Sequence, residues 1–406
     1  MNPVTTGKII ARLRREKNLT QSALAKLLSI SDKTVSKWES GAGYPEITQL
    51  PALAKIFGTT VDYLINGGGN GVTIAGNILI DNVKIIEKFP EQGMLAIILS
   101  ESPAVGGCVP NTAIDLAKID PSVPVSACGL VGDDEAGRYV TMQMQKYGIN
   151  TSRIKLTTSV PTGHSDVMTA MDTGARTFFL NRGTNSVFAP EDIDVDALDC
   201  KIFHIGYILL LERFDREDEA YGTAMAELLS RVQARGIKTS FDVVSDSSGK
   251  FREKVIPALK YSNYAIMNEI EAGGVSGLDA RNADGSLNIA NIRRTLEIFF
   301  ENGVSDLAVI HCPEAGFCMN AAGEFTAVPS LKLPDGYITG SVGAGDAFCA
   351  GVLYGLTKGM PEKEILEFAS GAAACNLSEK DSVSGMRQKA DIIKFINETE
   401  RLDLCW

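Results

Sequence analysis

Residues 65–71 read INGGGNG, and no other stretch limits the possible folds as strongly. Backbone this poor in side chains has no face to bury and much entropy to lose, so neither helix nor strand runs through it. A chain of 406 residues is also long for one domain. The glycines therefore divide it into a head, residues 1–66, and a body, residues 72–406, joined by a linker at 67–71 with no fixed geometry of its own.

Charge separates the same two parts. Residues 1–66 hold nine Lys/Arg against five Asp/Glu, net +4, while the remainder carries net −15, within a total of −11. A small basic head on an acidic body points to a polyanion partner for the head alone. No apolar run approaches the ~18 residues of a membrane span, and MNPVTTGK lacks a secretion signal's apolar core, so a cytoplasmic protein away from membranes is expected. Eight cysteines lack CxxC spacing and read as reduced, buried thiols. The three histidines, His164, His204 and His311, have no second ligand at metal spacing, so no transition-metal site is expected.

In the head, apolar residues recur at three and four: Ile9 and Leu13, then Leu24, Leu27 and Leu28, then Leu50, Leu53 and Ile56. That spacing predicts about five short helices. Thr20 and Ser31 stand where N-caps belong, and the short LSIS connection makes two helices cross steeply, presenting Asp32–Glu39 to a DNA major groove. The run LTQSALAKLLSISDKTVSKWESGAGYP resembles helix-turn-helix domains of the Cro and lambda-repressor type. That resemblance implies double-stranded DNA binding, with Gln21 at the groove edge and Lys33, Thr34, Ser36 and Lys37 on bases or phosphates. Trp38 is expected to pack the domain. So modest a charge calls for two heads, hence a homodimer, for specific recognition.

The body alternates strand-like runs such as VSACGLVG, IFHIG, KTSFDVV, NYAIMN and LAVIHC with longer helical ones. Such alternation predicts a mostly parallel α/β sheet with helices on both faces and ligands at the carboxyl ends of the strands. A small β excursion after LAVIHC completes it.

Within GSVGAGDAFCAG, residues 340–351, the glycines allow close approach of an anion. The amides of Gly343, Ala344 and Gly345 then converge at a helix N-terminus as an anion hole. Asp346 follows within one turn, where the helix dipole favours a carboxylate able to take a proton from an alcohol. Beside a phosphoryl-binding cradle, that is the logic of a kinase acting on a hydroxyl. The plainer reading, a tight helix entry with a capping acid, fits GAGD alone equally well. Other stretches join it: GNILID ending a strand at Asp81, AVGGCVPNTAIDLA with Gly106, Gly107 and Asn111, GLVGDDEAG, and NEIE with Asn268 and Glu271. Singly each reads as a turn, a helix cap or a capping box.

In this order, over about 72–400, they resemble the ribokinase-like (PfkB) carbohydrate kinase family, for which GAGD is a signature. The resemblance implies ATP as phosphoryl donor, Asp346 as catalytic base, Gly343 to Gly345 as anion hole, and Asp81, Gly106, Gly107 and Asn111 as substrate pocket. It further implies that Asn268 and Glu271 hold Mg²⁺ with its waters, that Asp242 lies near the phosphates, and that RTFFLNRGTN lines the substrate pocket.

Two positions depart from that pattern. Gly340 stands where the family carries an acidic residue linked to a monovalent cation, which argues against potassium activation. HCPEAG replaces the usual Thr-Leu-Gly-x-x-Gly nucleotide loop, and Pro313 offers no amide to a phosphate. Two readings follow: a kinase of a sugar or nucleoside with a DNA-binding head that makes it a sugar-responsive transcription regulator, or a regulator whose kinase-like body senses its ligand without turnover.

Overall fold

The computed structural model describes residues 3–17, 19–57, 61–66, 69–245 and 248–404. Cys405, read above as a buried thiol, and the linker residues 67–68 lie outside them.

The head contains the five expected helices: α1 (Pro3–Glu16), α2 (Gln21–Leu28), α3 (Asp32–Glu39), α4 (Leu50–Phe57) and α5 (Val61–Asn66). Thr20 caps α2 by accepting from the Ala23 amide, and Ser31 caps α3 by accepting from Thr34. Ile9, Leu13, Leu24, Leu28, Leu50 and Leu53 meet Val35 and Trp38 in a core belonging to the head alone.

The body begins with β1 (Val72–Gly76), β2 (Leu79–Ile86), β3 (Ile98–Gly106), α6 (Cys108–Ile119), β4 (Val125–Gly132) and α7 (Glu135–Lys146). Next come β5 (Asn150–Thr157), β6 (Gly163–Ala170), β7 (Arg176–Asn181), β8 (Ile202–Ile208), the two-residue pair β9 (Glu217–Asp218) and β10 (Gly222–Thr223), and α8 (Ala224–Ala234). There follow β11 (Lys238–Val243), α9 (Phe251–Leu259), β12 (Tyr264–Asn268), α10 (Glu269–Ser276), α11 (Ile289–Glu301), and the strands β13 (Leu307–His311), β14 (Ala315–Asn320) and β15 (Phe325–Pro329). The last helices are α12 (Ala344–Lys358), α13 (Glu362–Asn376) and α14 (Lys389–Glu398).

Nine strands form the main sheet in the order β15-β14-β13-β12-β11-β8-β1-β4-β5, parallel from β5 to β13 and antiparallel beyond. Period two divides its side chains between two cores. Ile74, Ile202, Ile266 and Val309 face α6, α12 and α13, whereas Ala75, Phe203, Phe241, Met267 and Ile310 face α8, α9, α10 and α11. The fold is the mostly parallel α/β architecture expected, covered on both faces.

Three expectations change. VTIAGNILID is two strands in two sheets: the chain turns at Gly76, whose φ of +132° suits glycine, and Asp81 lies in β2. The excursion after LAVIHC extends the main sheet as β14 and β15, and a separate sheet, β3-β2-β6-β7, forms a lid beside it. Gly69 and Gly71 of the joint are closely packed. A Cβ at Gly69 would fall 2.2 Å from Asp199, and Gly71, at φ +90°, lies against the Pro124 carbonyl.

Candidate active site

The Gly343 turn sets the site. It occupies the left-handed region at φ +76°, which suits glycine, as the N-cap of α12. Gly343 and Gly345 line a cavity of about 470 Å³ together with Asp346, Tyr207, Asp242, Ser245, Asn268, Glu271 and His311. Of the three expected amides, that of Ala344 bonds back to the Ser341 carbonyl at 3.3 Å, and Ala344 is not part of the cavity wall. The tight turn that brings Gly343 and Gly345 to the cavity wall closes this amide on Ser341.

Asp346 is buried and held on both oxygens. Tyr207 donates its hydroxyl to Oδ1 at 2.6 Å and Asn111 its amide to Oδ2 at 2.9 Å. Burial raises its pKa to about 6, helped by the nearby Asp242 carboxyl and opposed by the Tyr207 and Asn111 hydrogen bonds. Desolvation thus outweighs the helix dipole that sequence reasoning had favouring ionisation, yet the group stays mainly ionised at neutral pH. Asn111 is no helix cap: it sits in the first turn of α6, and its Oδ1 accepts from Ser382 at 2.8 Å. Tyr207 was missed, since nothing in HIGYILL marks a tyrosine 139 residues from its partner.

On the substrate side, Asp81, Phe178, Arg176 and Ser382 line a small recess, with the open face of Gly106 against the Asp81 carboxyl. Burial, then the charge of Asp346, raises the Asp81 pKa to about 7. Gly107, at φ +92°, packs on Asn77 and starts α6. In the RTFFLNRGTN stretch, Asn185 bonds both the amide and the carbonyl of Ile78, fixing the crossing between the two sheets.

Opposite Asp346, Asn268 and Glu271 form the capping box of α10: Asn268 Oδ1 accepts from the Glu271 amide and Glu271 Oε2 from the Asn268 amide. The plain capping role is thus realised while both side chains also line the cavity. Asp242 lies alongside, one buried oxygen lacking any hydrogen-bond partner. Burial raises the pKa of Glu271 to about 8 and lifts that of Asp242 well above the usual carboxylate range. Two oxygen-donating groups of this kind suit a hard dication, which would reverse both shifts.

HCPEAG is the turn between β13 and β14, closed by the Cys312 amide on the Ala315 carbonyl, and Pro313 sits in it without a donor. His311 stacks on Phe348 at 4.7 Å and faces the cavity. A Cβ at Gly340 would fall 2.8 Å from the Glu379 carbonyl oxygen and 3.0 Å from Lys380 Cα. Against the spacing argument on metals, Cys108, His204 and Asp242 converge within 4.8 Å.

In the head, Lys33, Ser36 and Lys37 are exposed on α3, and Thr34 is half-buried with its hydroxyl bonded to Ser31. Gln21 is half-buried, and its amide donates to Glu39, which also pairs with Arg14. Trp38 is buried as expected.

Residues 72–389 match the pfkB family carbohydrate kinases and residues 10–64 a helix-turn-helix domain. The chain belongs to the pfkB family of carbohydrate kinases. Among relatives of this pfkB protein, a ribokinase from Arabidopsis thaliana is 22% identical over 80% of both chains. A 5-dehydro-2-deoxygluconokinase from Shouchella clausii is 23% identical over 72% of this chain and 86% of that one. The head is 47% identical to the HTH-type transcriptional activator BcrR of Enterococcus faecalis, a match spanning 14% of this chain and 28% of that relative. The solved Arabidopsis ribokinase complexed with ribose and ATP shares the fold at a TM-score of 0.66, 18% identity, covering 81% of this chain and 99% of that one. No helix among the described residues is long and apolar enough to cross a membrane.

Proposed function

We propose that this pfkB kinase transfers the γ-phosphoryl group of ATP to a hydroxyl of a sugar or nucleoside, and that its head couples occupancy of the body to DNA binding. One observation carries the catalytic reading: Asp346, the Gly343 and Gly345 turn, and the Asp242, Asn268 and Glu271 wall share a single cavity. Asp346, held by Tyr207 and Asn111, accepts the proton of the acceptor hydroxyl as the oxygen attacks phosphorus. The amides of the α12 turn stabilise charge on the phosphoryl oxygens. Asp81, with no side-chain hydrogen bond of its own among the described residues, is free to accept from substrate hydroxyls in the recess it lines, and glycine at 106 and 107 lets the chain pack closely against Asp81 and Asn77. Glu271 and Asp242 would hold Mg²⁺ with its waters, with Asn268 fixing Glu271; bound there, the ion neutralises charge on the phosphates.

On the head, Lys33, Lys37 and Ser36 form the DNA-facing surface. Exposed apolar residues on the lid, including Leu95, Ile97, Ile98, Phe178 and Phe179, support a homodimer that brings two heads together. The alternative of ligand sensing without turnover draws on Pro313 and on the closed Asn268–Glu271 box. Incubation with Mg-ATP and a panel of pentoses, hexoses, keto sugars and nucleosides, followed by ADP release, separates the two. Turnover is expected with a member of that panel, and Asp346→Asn is expected to lower it by about 10²–10⁴ with the fold intact. An Asp346→Asn variant as fast as the parent would defeat the catalytic reading.

A further inference from the structure

We infer that Cys108, His204 and Asp242 form a binding site for a thiophilic divalent cation of the zinc class, opening onto the cavity that holds Asp346. The three residues come from separate elements, the first residue of α6, the middle of β8 and the end of β11, and all three are buried. Their sulfur, nitrogen and oxygen atoms lie within 4.8 Å of one another.

His204 is oriented as a ligand. Its Nδ1 is 2.9 Å from the hydroxyl of Ser240, its cross-strand partner in β11. That bond turns Nε2 towards the carboxylate and thiols, the arrangement by which proteins orient a metal-binding imidazole through its other ring nitrogen. Nε2 lies 3.7 Å from Asp242 Oδ2 and 3.6 Å from Cys349 Sγ. Tetrahedral zinc bonds of about 2.0–2.3 Å place ligand atoms roughly 3.3–3.8 Å apart, and the His204–Asp242 separation already fits.

The second observation is the orphan oxygen. Asp242 Oδ1 is buried with no hydrogen-bond partner. It converges with Cys108 Sγ over Gly206, where a Cβ would fall 2.0 Å from Oδ1 and 2.7 Å from Sγ. A glycine there leaves open the gap between two ligand atoms. Asp242 and Cys349 also line the cavity, which supplies a path for entry. No lysine or arginine pairs with Cys108, Asp242 or Asp346 among the described residues, so the cluster contains acids and thiols without a resident cation.

A sulfur and an imidazole among the donors select against Mg²⁺, which takes oxygen ligands, and in favour of zinc-class ions. Binding would release the Cys108 thiol proton to solvent, together with the Asp242 proton where that carboxyl is protonated. Because Asp242 also faces the phosphate side of the cavity, the bound ion would compete with Mg²⁺ for it. Only this last point rests on the kinase reading.

The test uses the full chain, reduced with a non-thiol reagent and titrated with Co²⁺ in excess Mg²⁺. One Co²⁺ per chain is expected, with tetrahedral ligand-field bands and thiolate-to-cobalt charge-transfer absorption, and Zn²⁺ displaces it. Cys108→Ser is expected to weaken binding at least tenfold and diminish the charge-transfer band, and Ser240→Ala to weaken binding about ten- to a hundredfold while keeping that band. Should Cys108→Ser fail to fold by circular dichroism, the parent spectrum and Ser240→Ala still decide. Lack of saturable binding, a spectrum without the thiolate band, or parent-like affinity in folded variants would overturn the site. Zn²⁺ is also expected to inhibit ADP release from Mg-ATP. Cobalt binding without any turnover would uphold the site and count against the kinase, whereas turnover without cobalt binding would do the reverse.

Discussion

Asp346 shows how one residue takes its chemistry from distant parts of the chain. Its pKa of about 6 is a balance between burial and the Asp242 carboxyl, which raise it, and the Tyr207 and Asn111 hydrogen bonds, which lower it. A base acts only when deprotonated, so kcat/KM should fall as pH drops through about 6 and level off above it. Tyr207→Phe removes a hydrogen bond that favours the charged form. At about 1.5–3 kcal/mol for such a bond, the acidic limb should move up by roughly one to two pH units, as read from the pH profile of kcat/KM. An unmoved limb would count against Asp346 as the titrating base. Asp346 itself was legible because the glycines and the acid lie within one helical turn. Tyr207 and Asn111 were not legible in those roles, lying 139 and 235 residues away, and local spacing carries no signal for such contacts.

At the scale of one element, the start of α12 separates two glycines that the sequence presents as equivalent. Gly343 has φ +76°, and a Cβ there would lie 2.6 Å from Ser382 Cβ and 2.7 Å from its carbonyl oxygen. Gly343→Ala should destabilise the fold by about 1–3 kcal/mol. Gly345 has ordinary helical backbone, and its Cβ would meet only His311 Cε1 at 3.7 Å. Gly345→Ala should leave stability within about 0.5 kcal/mol while adding a methyl group to the wall of the cavity and reducing kcat/KM. Urea melts beside steady-state kinetics test the contrast, and equal losses of stability would contradict it. Periodicity made most strands and helices readable, because a buried parallel strand and an amphipathic helix have different repeats. It failed at VTIAGNILID, where the chain leaves one sheet and enters another without losing its apolar character, and only Gly76 and the buried Asn77 mark the break.

For the molecule as a whole, the charge asymmetry was legible, whereas the close packing of Gly69 and Gly71 was not, since glycine marks close approach as readily as slack. The head has its own core, distinct from the two that sandwich the main sheet, so changes on the exposed face of α3 should leave the body's chemistry untouched. Lys33 and Lys37 stand one turn apart on that face, at the spacing with which a helix meets successive backbone groups along a groove. Each lysine on a phosphate releases about 0.9 of a counterion when duplex DNA binds. A homodimer with both lysines engaged in each head makes four such contacts, so Lys33→Ala with Lys37→Ala should reduce the slope of log K against log salt by roughly 3.6. ADP release should keep its parental rate in the same variant. An unchanged slope would move the DNA surface off α3, whereas a drop near half that value would mean two phosphate contacts rather than four; the single variants Lys33→Ala and Lys37→Ala then tell one head with both lysines engaged, where each lowers the slope by about 0.9, from two heads with one lysine each, where only one variant lowers it.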